Sequence, residues 1–340
     1  MRVTRRDFLK YSAAAGAGAL AVPQILGAEA AHASPANAAC IWGAFPDPGV
    51  TNPTTADVEN AIKNFETLIG RKLGMTRHYI RWDFSPIPSD PMVWSANGGR
   101  VPFMDWRPQR MNGNYVKWAD IAAGTQDSYI TSVANAFKNK LGGKKVFLTF
   151  NHEPENDAAN NGPASTAAEE LARASEYKKA YARVKKIFTG QGVQGIRWVC
   201  TLVQGTYKGA NQGANAWFPN AATYVGADGY NRGACSGGWK SFNSLFKDAH
   251  DYAVLKGKNM VVEEWGCAPP NACGGSAPQT KAQWFTDAGA QIEAWPEIKA
   301  VIYTHVNALF RGNVVDFRVN RPGNAELNAY KAVGARAHFN

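Results

Sequence analysis

Between residues 145 and 157 a hydrophobic run, "KVFLTF", ends in "NHEPEND", which brings His152, Glu153, Glu155 and Asp157 within six positions. A second run, "NMVVEEWG", ends in Glu263 and Glu264. Two carboxylates at the tips of two separate apolar strands suit a glycosidic cleavage. One carboxyl must protonate the leaving oxygen and then activate water, while the other, ionised, attacks the anomeric carbon from the opposite side. The environment of each divides the roles, because burial raises one pKa and hydrogen bonds hold the other group charged. A metal-binding reading of His152, Glu153, Glu155 and Asp157 is weaker, because Pro154 and the short spacing spoil a single ligand face. No metal or cofactor is expected.

The elements that must hold these groups alternate along the chain. Strand-like runs fall at 40–45, 78–84, 101–106, 145–150, 195–203, 222–230, 259–265 and 300–306. Amphipathic stretches lie between them; in "TADVENAIKNFETLIGRKLG", Val58, Ile62, Phe65 and Ile69 share one face and Thr54 or Thr55 can cap the start. Strands alternating with helices imply a parallel sheet. Eight of them within one chain of 340 residues predict an α/β fold, a single (β/α)8 TIM barrel. A doubly wound open sheet is disfavoured because "WGAFPDPG" is no phosphate-binding loop.

Active sites of such barrels lie at the C-terminal strand ends. By that rule Arg81-Trp82-Asp83, Asp105-Trp106-Arg107, His152-Glu153, Asp228-Gly229-Tyr230-Asn231, Glu263-Glu264-Trp265 and His305 converge on one rim. Trp82, Trp106, Trp217 and Trp265 serve either the core or sugar stacking, with Trp217 and Trp265 the first choices for stacking. His305 either touches substrate or hydrogen-bonds along the rim. Arg81 and Asp83 are expected to pair.

The N-terminus reads as an export signal. "TRRDFLK" precedes a short Ala/Gly-rich apolar run and then "AEAAHAS", the order of a cleavable leader. Its paired Arg5-Arg6 before Phe8-Leu9-Lys10 resembles a twin-arginine signal. Cleavage after Ala33 or Ala30 fits the small residues there, so residues 1–33 are read as signal peptide and 34–340 as the barrel. Loss of 1–33 removes Arg2, Arg5, Arg6, Lys10, Asp7 and Glu29, which takes the formal charge from +10 to +8. No Lys/Arg run interleaved with aromatics points to nucleic acid, and no later apolar run is long enough to cross a membrane. A secreted monomer is expected. Among the five cysteines, Cys267 and Cys273 would close a short loop, with Cys235 a rival partner. Cys200, inside an apolar run, reads as a buried thiol.

Four blocks in order, "WADIAAGTQDSYI" (118–130), "FNHEPEND", "WFPNAATYVGADGYN" (217–231) and "VVEEWG", resemble the clan A glycoside hydrolases, and within them glycoside hydrolase family 26, best known for β-mannanases. The resemblance implies a retaining mechanism on a polysaccharide, with Glu153 as acid/base and Glu264 as nucleophile. Glu264 is preferred to Glu263 because the family places its nucleophile directly before the aromatic residue. His152 is implied as a sugar-contacting neighbour and Tyr230 as a hydroxyl near the nucleophile. Pro154-Glu155-Asn156-Asp157 departs from the family's usual continuation, which leaves the glycan open among β-mannan, β-1,3-xylan, mixed-linkage β-glucan and bacterial wall polysaccharide.

Overall fold

The computed structural model describes residues 39–157, 166–208 and 212–339. Eight parallel strands close into a barrel in chain order: β1 (Ile41–Pro46), β2 (Met75–Arg81), β3 (Val101–Arg107), β4 (Val146–Phe150), β5 (Ile196–Val203), β6 (Tyr224–Asn231), β7 (Asn259–Cys267) and β8 (Ile298–His305). The described helices are α1 (Thr55–Ile69), α2 (Asp90–Asn97), α3 (Trp118–Ala123), α4 (Asp127–Leu141), α5 (Ala167–Gly190), α6 (Gln212–Trp217), α7 (Phe242–Leu255), α8 (Lys281–Ala294) and α9 (Ala325–Gly334). A small antiparallel hairpin, β9 (Asn307–Phe310) with β10 (Asn313–Asp316), follows the last barrel strand. The twin-arginine segment lies outside the described residues.

Strand periodicity stacks the barrel interior in layers. Met75, Phe103, Phe147, Val199, Val261, Ala300 and Ile302 form an apolar plug. Two residues further along each strand, the same inward face turns polar: Arg77, Asp105, Thr149, Thr201, Glu263 and Thr304, all buried. The plug keeps water out from below, and the polar layer above it becomes the floor of the site. The opposite face of each strand packs against the helices in one continuous core.

Helix ends follow local chemistry. At α1, Thr54 and Asp57 form a reciprocal capping box and Gly70 takes the left-handed conformation that ends the helix. A second box, Thr166 with Glu169, starts α5 well before the 175–192 stretch that reads as helical from its apolar spacing. Strand β2 lies three residues earlier than the expected 78–84. Trp82 donates its N–H to the carbonyl of Gln109, so the chain leaves the ladder there. That shift brings Arg77 onto the inner face. The short α2, α3 and α6 and the β9–β10 hairpin had no expected counterpart.

The disulfide joins Cys235 to Cys273, which corrects the Cys267–Cys273 pairing. Cys267 is the buried last residue of β7, and its thiol accepts a hydrogen bond from Asn231 Nδ2 at 3.2 Å. It is held in the sheet, away from the loop that carries Cys273. Cys40, Cys200 and Cys267 are free and buried. No helix among the described residues is long and apolar enough to cross a membrane.

Candidate active site

Two backbone devices bring the ionisable groups together. At the tip of β4, Asn151 and Glu153 both adopt left-handed conformations, with φ of 53° and 48°, which residues with side chains seldom take up. Each is held. Asn151 accepts from Trp118 Nε1 at 3.0 Å and donates to Asp157 Oδ2 at 3.2 Å, and the Glu153 N–H donates to the Thr201 carbonyl at 3.0 Å. On β7, the pairing with β6 slips between Ala227 and Asp228, so that Val262 faces Ala227 but Glu264 faces Asp228. The pairing with β8 slips in the same place. This is a β-bulge, with one residue inserted. Simple alternation would turn Glu263 and Glu264 to opposite faces; the bulge turns both inward.

Glu264 is 5% exposed and closely held. Tyr79 donates its hydroxyl to Oε1 at 2.8 Å, Tyr230 donates to Oε2 at 2.6 Å, and Arg77 Nη1 lies 2.6 Å from Oε1. Tyr230 is itself 3.1 Å from Thr304 Oγ1. Glu263 lies beneath, fully buried, where it binds Arg77 Nη2 and accepts from the Thr201 hydroxyl. Asp105 Oδ2 is 3.5 Å from the same guanidinium. Arg77 thus serves three carboxylates at once.

His152 Nε2 faces Asp228 at hydrogen-bonding range and lies 3.4 Å from Glu264 and 3.5 Å from Glu263. A nitrogen among carboxylate oxygens has acceptors on every side, so it carries the proton. The His152 side chain is buried in this network. There its Nε2 lies among the carboxylates of Asp228, Glu263 and Glu264.

One atom each of His152, Glu153, Asp228 and Glu264 lies within 4.8 Å of the other three. The structure therefore brings together Glu153, Glu264, His152 and Tyr230. These atoms, and the set of Asp105, His152 and Glu263, are also the donors among the described residues that could grip a cation. The four-residue cluster at 152–157 disperses. Glu155 turns to β5 and Asp157 turns to Asn151 and Arg107.

The tryptophans do not join the site. Trp82, Trp106, Trp217 and Trp265 are only 0–1% exposed, so their faces are closed to a sugar. Trp82 stacks on Trp106 at 4.6 Å, Trp217 meets Trp118 edge-on and donates to Glu170, and Trp265 packs among Trp42, Phe242, Trp284 and Tyr303. In β3 and β7 the tryptophan directly follows an inward carboxylate, so the pleat turns it towards the helices. Half-buried rings do line the rim, among them Phe45, Tyr79, Tyr115 and Tyr230. His305 accepts from the Val319 N–H at 3.2 Å and packs on Phe65. Burial pushes its pKa down to about 3, so it is a neutral rim acceptor. Arg81 and Asp83 do not pair with each other. Both instead hold Met111, Arg81 through the carbonyl and Asp83 through the N–H.

Glu155 Oε1 accepts from the Val203 N–H at 2.6 Å and from the Thr206 hydroxyl at 2.9 Å. Burial, with Glu153 as a second cause, raises its pKa to about 8. The folded chain therefore keeps a proton that the unfolded chain releases above its ordinary value of 4.5, and this costs stability progressively between those two pH values. In Glu155→Gln that cost is absent. The variant's Tm advantage over the native protein should grow from about pH 5 to about pH 8 and level off above, in a thermal-melt series.

Similarity to known proteins follows this geometry. Over 88% of this chain and 86% of theirs, the coordinates match the catalytic domain of a family 26 endo-β-1,4-mannanase from Bacillus sp. JAMB-750, with a TM-score of 0.60 and 16% identity. A modular endo-β-1,4-mannanase from Cellulomonas fimi matches with a TM-score of 0.57 and 16% identity, over 88% of this chain and 71% of that one. The fold is that of the family 26 mannanases. Endoglucanase H of Acetivibrio thermocellus is 30% identical over 296 residues, which is 83% of this chain; the chain spans only 30% of that relative's length. Residues 2–22 match the twin-arginine translocation pathway signal sequence, which marks this family 26-like barrel for export.

Arg77, Tyr79 and Thr201 escaped the sequence reading of the site. Arg77 left only a faint trace: it is a charged residue between Met75 and Tyr79 at the two-residue spacing of one strand face.

Proposed function

We propose that the protein is a secreted, retaining endo-glycoside hydrolase of β-linked polysaccharides. Glu264 attacks the anomeric carbon to form a glycosyl-enzyme bond as the leaving oxygen takes a proton from Glu153. Glu153 then removes a proton from water, which displaces Glu264. The observation that carries the reading is the approach of Glu153 and Glu264, whose nearest oxygens lie within 4.8 Å. Retaining enzymes hold their carboxyls about 5–5.5 Å apart, whereas inverting ones leave roughly 6.5–9.5 Å for a water. Tyr79, Tyr230 and Arg77 fix the attacking group, and His152 with Asp228 sets the wall beside it.

β-1,4-Mannan is the first substrate to test, because the matched solved structures are β-1,4-mannanases. The similarity to an endoglucanase places β-glucan second, followed by β-1,3-xylan and bacterial wall glycans. The acting form is a monomer whose signal is cleaved after Ala33 or Ala30. Assay of the purified protein on these polymers, with NMR of the first anomer released, tests the reading; an inverted first product would sink it. Glu153→Ala should lower kcat by roughly 10²–10⁴-fold, with the smallest loss on aryl glycosides whose leaving group needs no acid. Metal-assisted hydrolysis is the competing mechanism, and the His152, Glu153, Asp228, Glu264 cluster favours it. Full activity after dialysis against EDTA is the expected result; loss that returns with a divalent ion would favour the metal.

A further inference from the structure

Arg232, the residue after β6, stands against the catalytic tyrosine. Its guanidinium carbon lies 4.6 Å from the ring centroid of Tyr230 and 4.5 Å from that of Phe310 on the β9–β10 hairpin. Arg311 lies against the same Phe310 ring at 5.2 Å. Two cations on one aromatic ring repel each other. Neither guanidinium makes an ion pair or a hydrogen bond to another described residue. By contrast, eight other arginines among the described residues reach a carboxylate.

Arg232 is not a loose surface side chain. The Cys235–Cys273 disulfide fastens the turn that follows it, and Asn231 Oδ1 accepts from the N–H groups of Gly233 and Lys240 at 3.3 and 3.0 Å. Burial is the main influence on its pKa and lowers it, against the opposing pull of Tyr230 and Glu153. Glu153 is thus near enough to feel this charge. A partly desolvated guanidinium with no carboxylate partner has lost water without gaining an anion. Its planar fork, braced by two rings, matches a carboxylate or a sulfate.

We propose that Arg232 and Arg311 form an anion-binding subsite beside the catalytic pair, so that the polysaccharide cleaved carries acidic groups, such as the carboxylates of uronic acids. This inference rests on the glycosidase reading and adds the charge of the substrate to it. The anion would neutralise two like charges gathered on one ring, which makes the subsite selective against neutral chains. Its effect should weaken as salt screens the exposed Arg311.

The test uses pairs of polymers that differ only in charge. Mannuronate-rich alginate, β-1,4-polyglucuronate and glucuronoxylan are each compared with their carboxyl-reduced forms, by calorimetric binding to the Glu264→Gln protein and by turnover with the native protein. The expected result is at least tenfold tighter binding of one uronate form, weakened by added salt. Arg232→Gln should abolish the preference and Arg311→Gln should reduce it. Arg311 is exposed, so its variant stays informative if Arg232→Gln does not fold. Equal binding of charged and reduced forms, binding of neither, or an undiminished preference in Arg311→Gln would overturn the proposal. The two readings fail separately: cleavage of neutral mannan with no charge preference removes only the anion subsite. Binding of the uronate form without any turnover removes only the hydrolase.

Discussion

Glu264→Ala should lower kcat on the order of 10⁴–10⁶-fold, the scale seen when a covalent nucleophile is deleted, while the protein remains folded. The fold is spared because Arg77 keeps Glu263 as a buried partner, and Tyr79 and Tyr230 lie at the open side of the network where water can reach them. The methyl side chain leaves a space the size of a small anion opposite Glu153. Added azide should enter that space and restore part of the turnover on activated aryl glycosides, giving a glycosyl azide of inverted configuration. Kinetics with and without azide, together with NMR of the product, check both halves. If the variant keeps activity within tenfold of the native protein, Glu264 is not the nucleophile. Glu263→Ala then becomes the variant to make, because the bulge in β7 leaves both carboxylates on the same side.

The second large effect is on stability. Arg77→Met removes the guanidinium beneath the site and leaves Glu263 fully buried beside Asp105 and Glu264. Breaking a buried ion pair by removing one partner costs about 3–5 kcal/mol, against a total stability of about 5–15 kcal/mol. The expected result is a large drop in the urea midpoint, or failure to fold at growth temperature. Neutralising the stranded acid as well, in Arg77→Met with Glu263→Gln, should recover part of the loss. A single variant as stable as the native protein would mean that the carboxylates share protons and do not need the cation.

The barrel and the strand tips that carry the chemistry could be read from the sequence, because both depend on period and order. Eight apolar runs separated by amphipathic stretches leave few other folds, and polar residues at run ends stand out. Three parts of the site were hidden for physical reasons. Arg77 was missed because the start of β2 depends on where Trp82 leaves the ladder, a long-range hydrogen bond to Gln109. That Glu263 and Glu264 share the inner face was hidden because a bulge breaks the two-residue period, and only the pairing with β6 reveals it. The tryptophans misled because their chemistry suits sugars, yet the pleat turns Trp106 and Trp265 towards the helices, and Trp82 and Trp217 are buried with them in the same core. The disulfide likewise depended on which cysteine the sheet had already buried.

The burial of Cys40, Cys200 and Cys267 has a consequence for the route of export. A twin-arginine substrate crosses the membrane after folding, so these thiols would be sealed before they meet an oxidising compartment. A chain threaded through unfolded would present all five cysteines to oxidant at once, with several wrong pairings within reach. Folding first leaves Cys235 and Cys273 as the partners still able to react, so the order of folding and transport, more than the spacing of the cysteines, decides which bond forms.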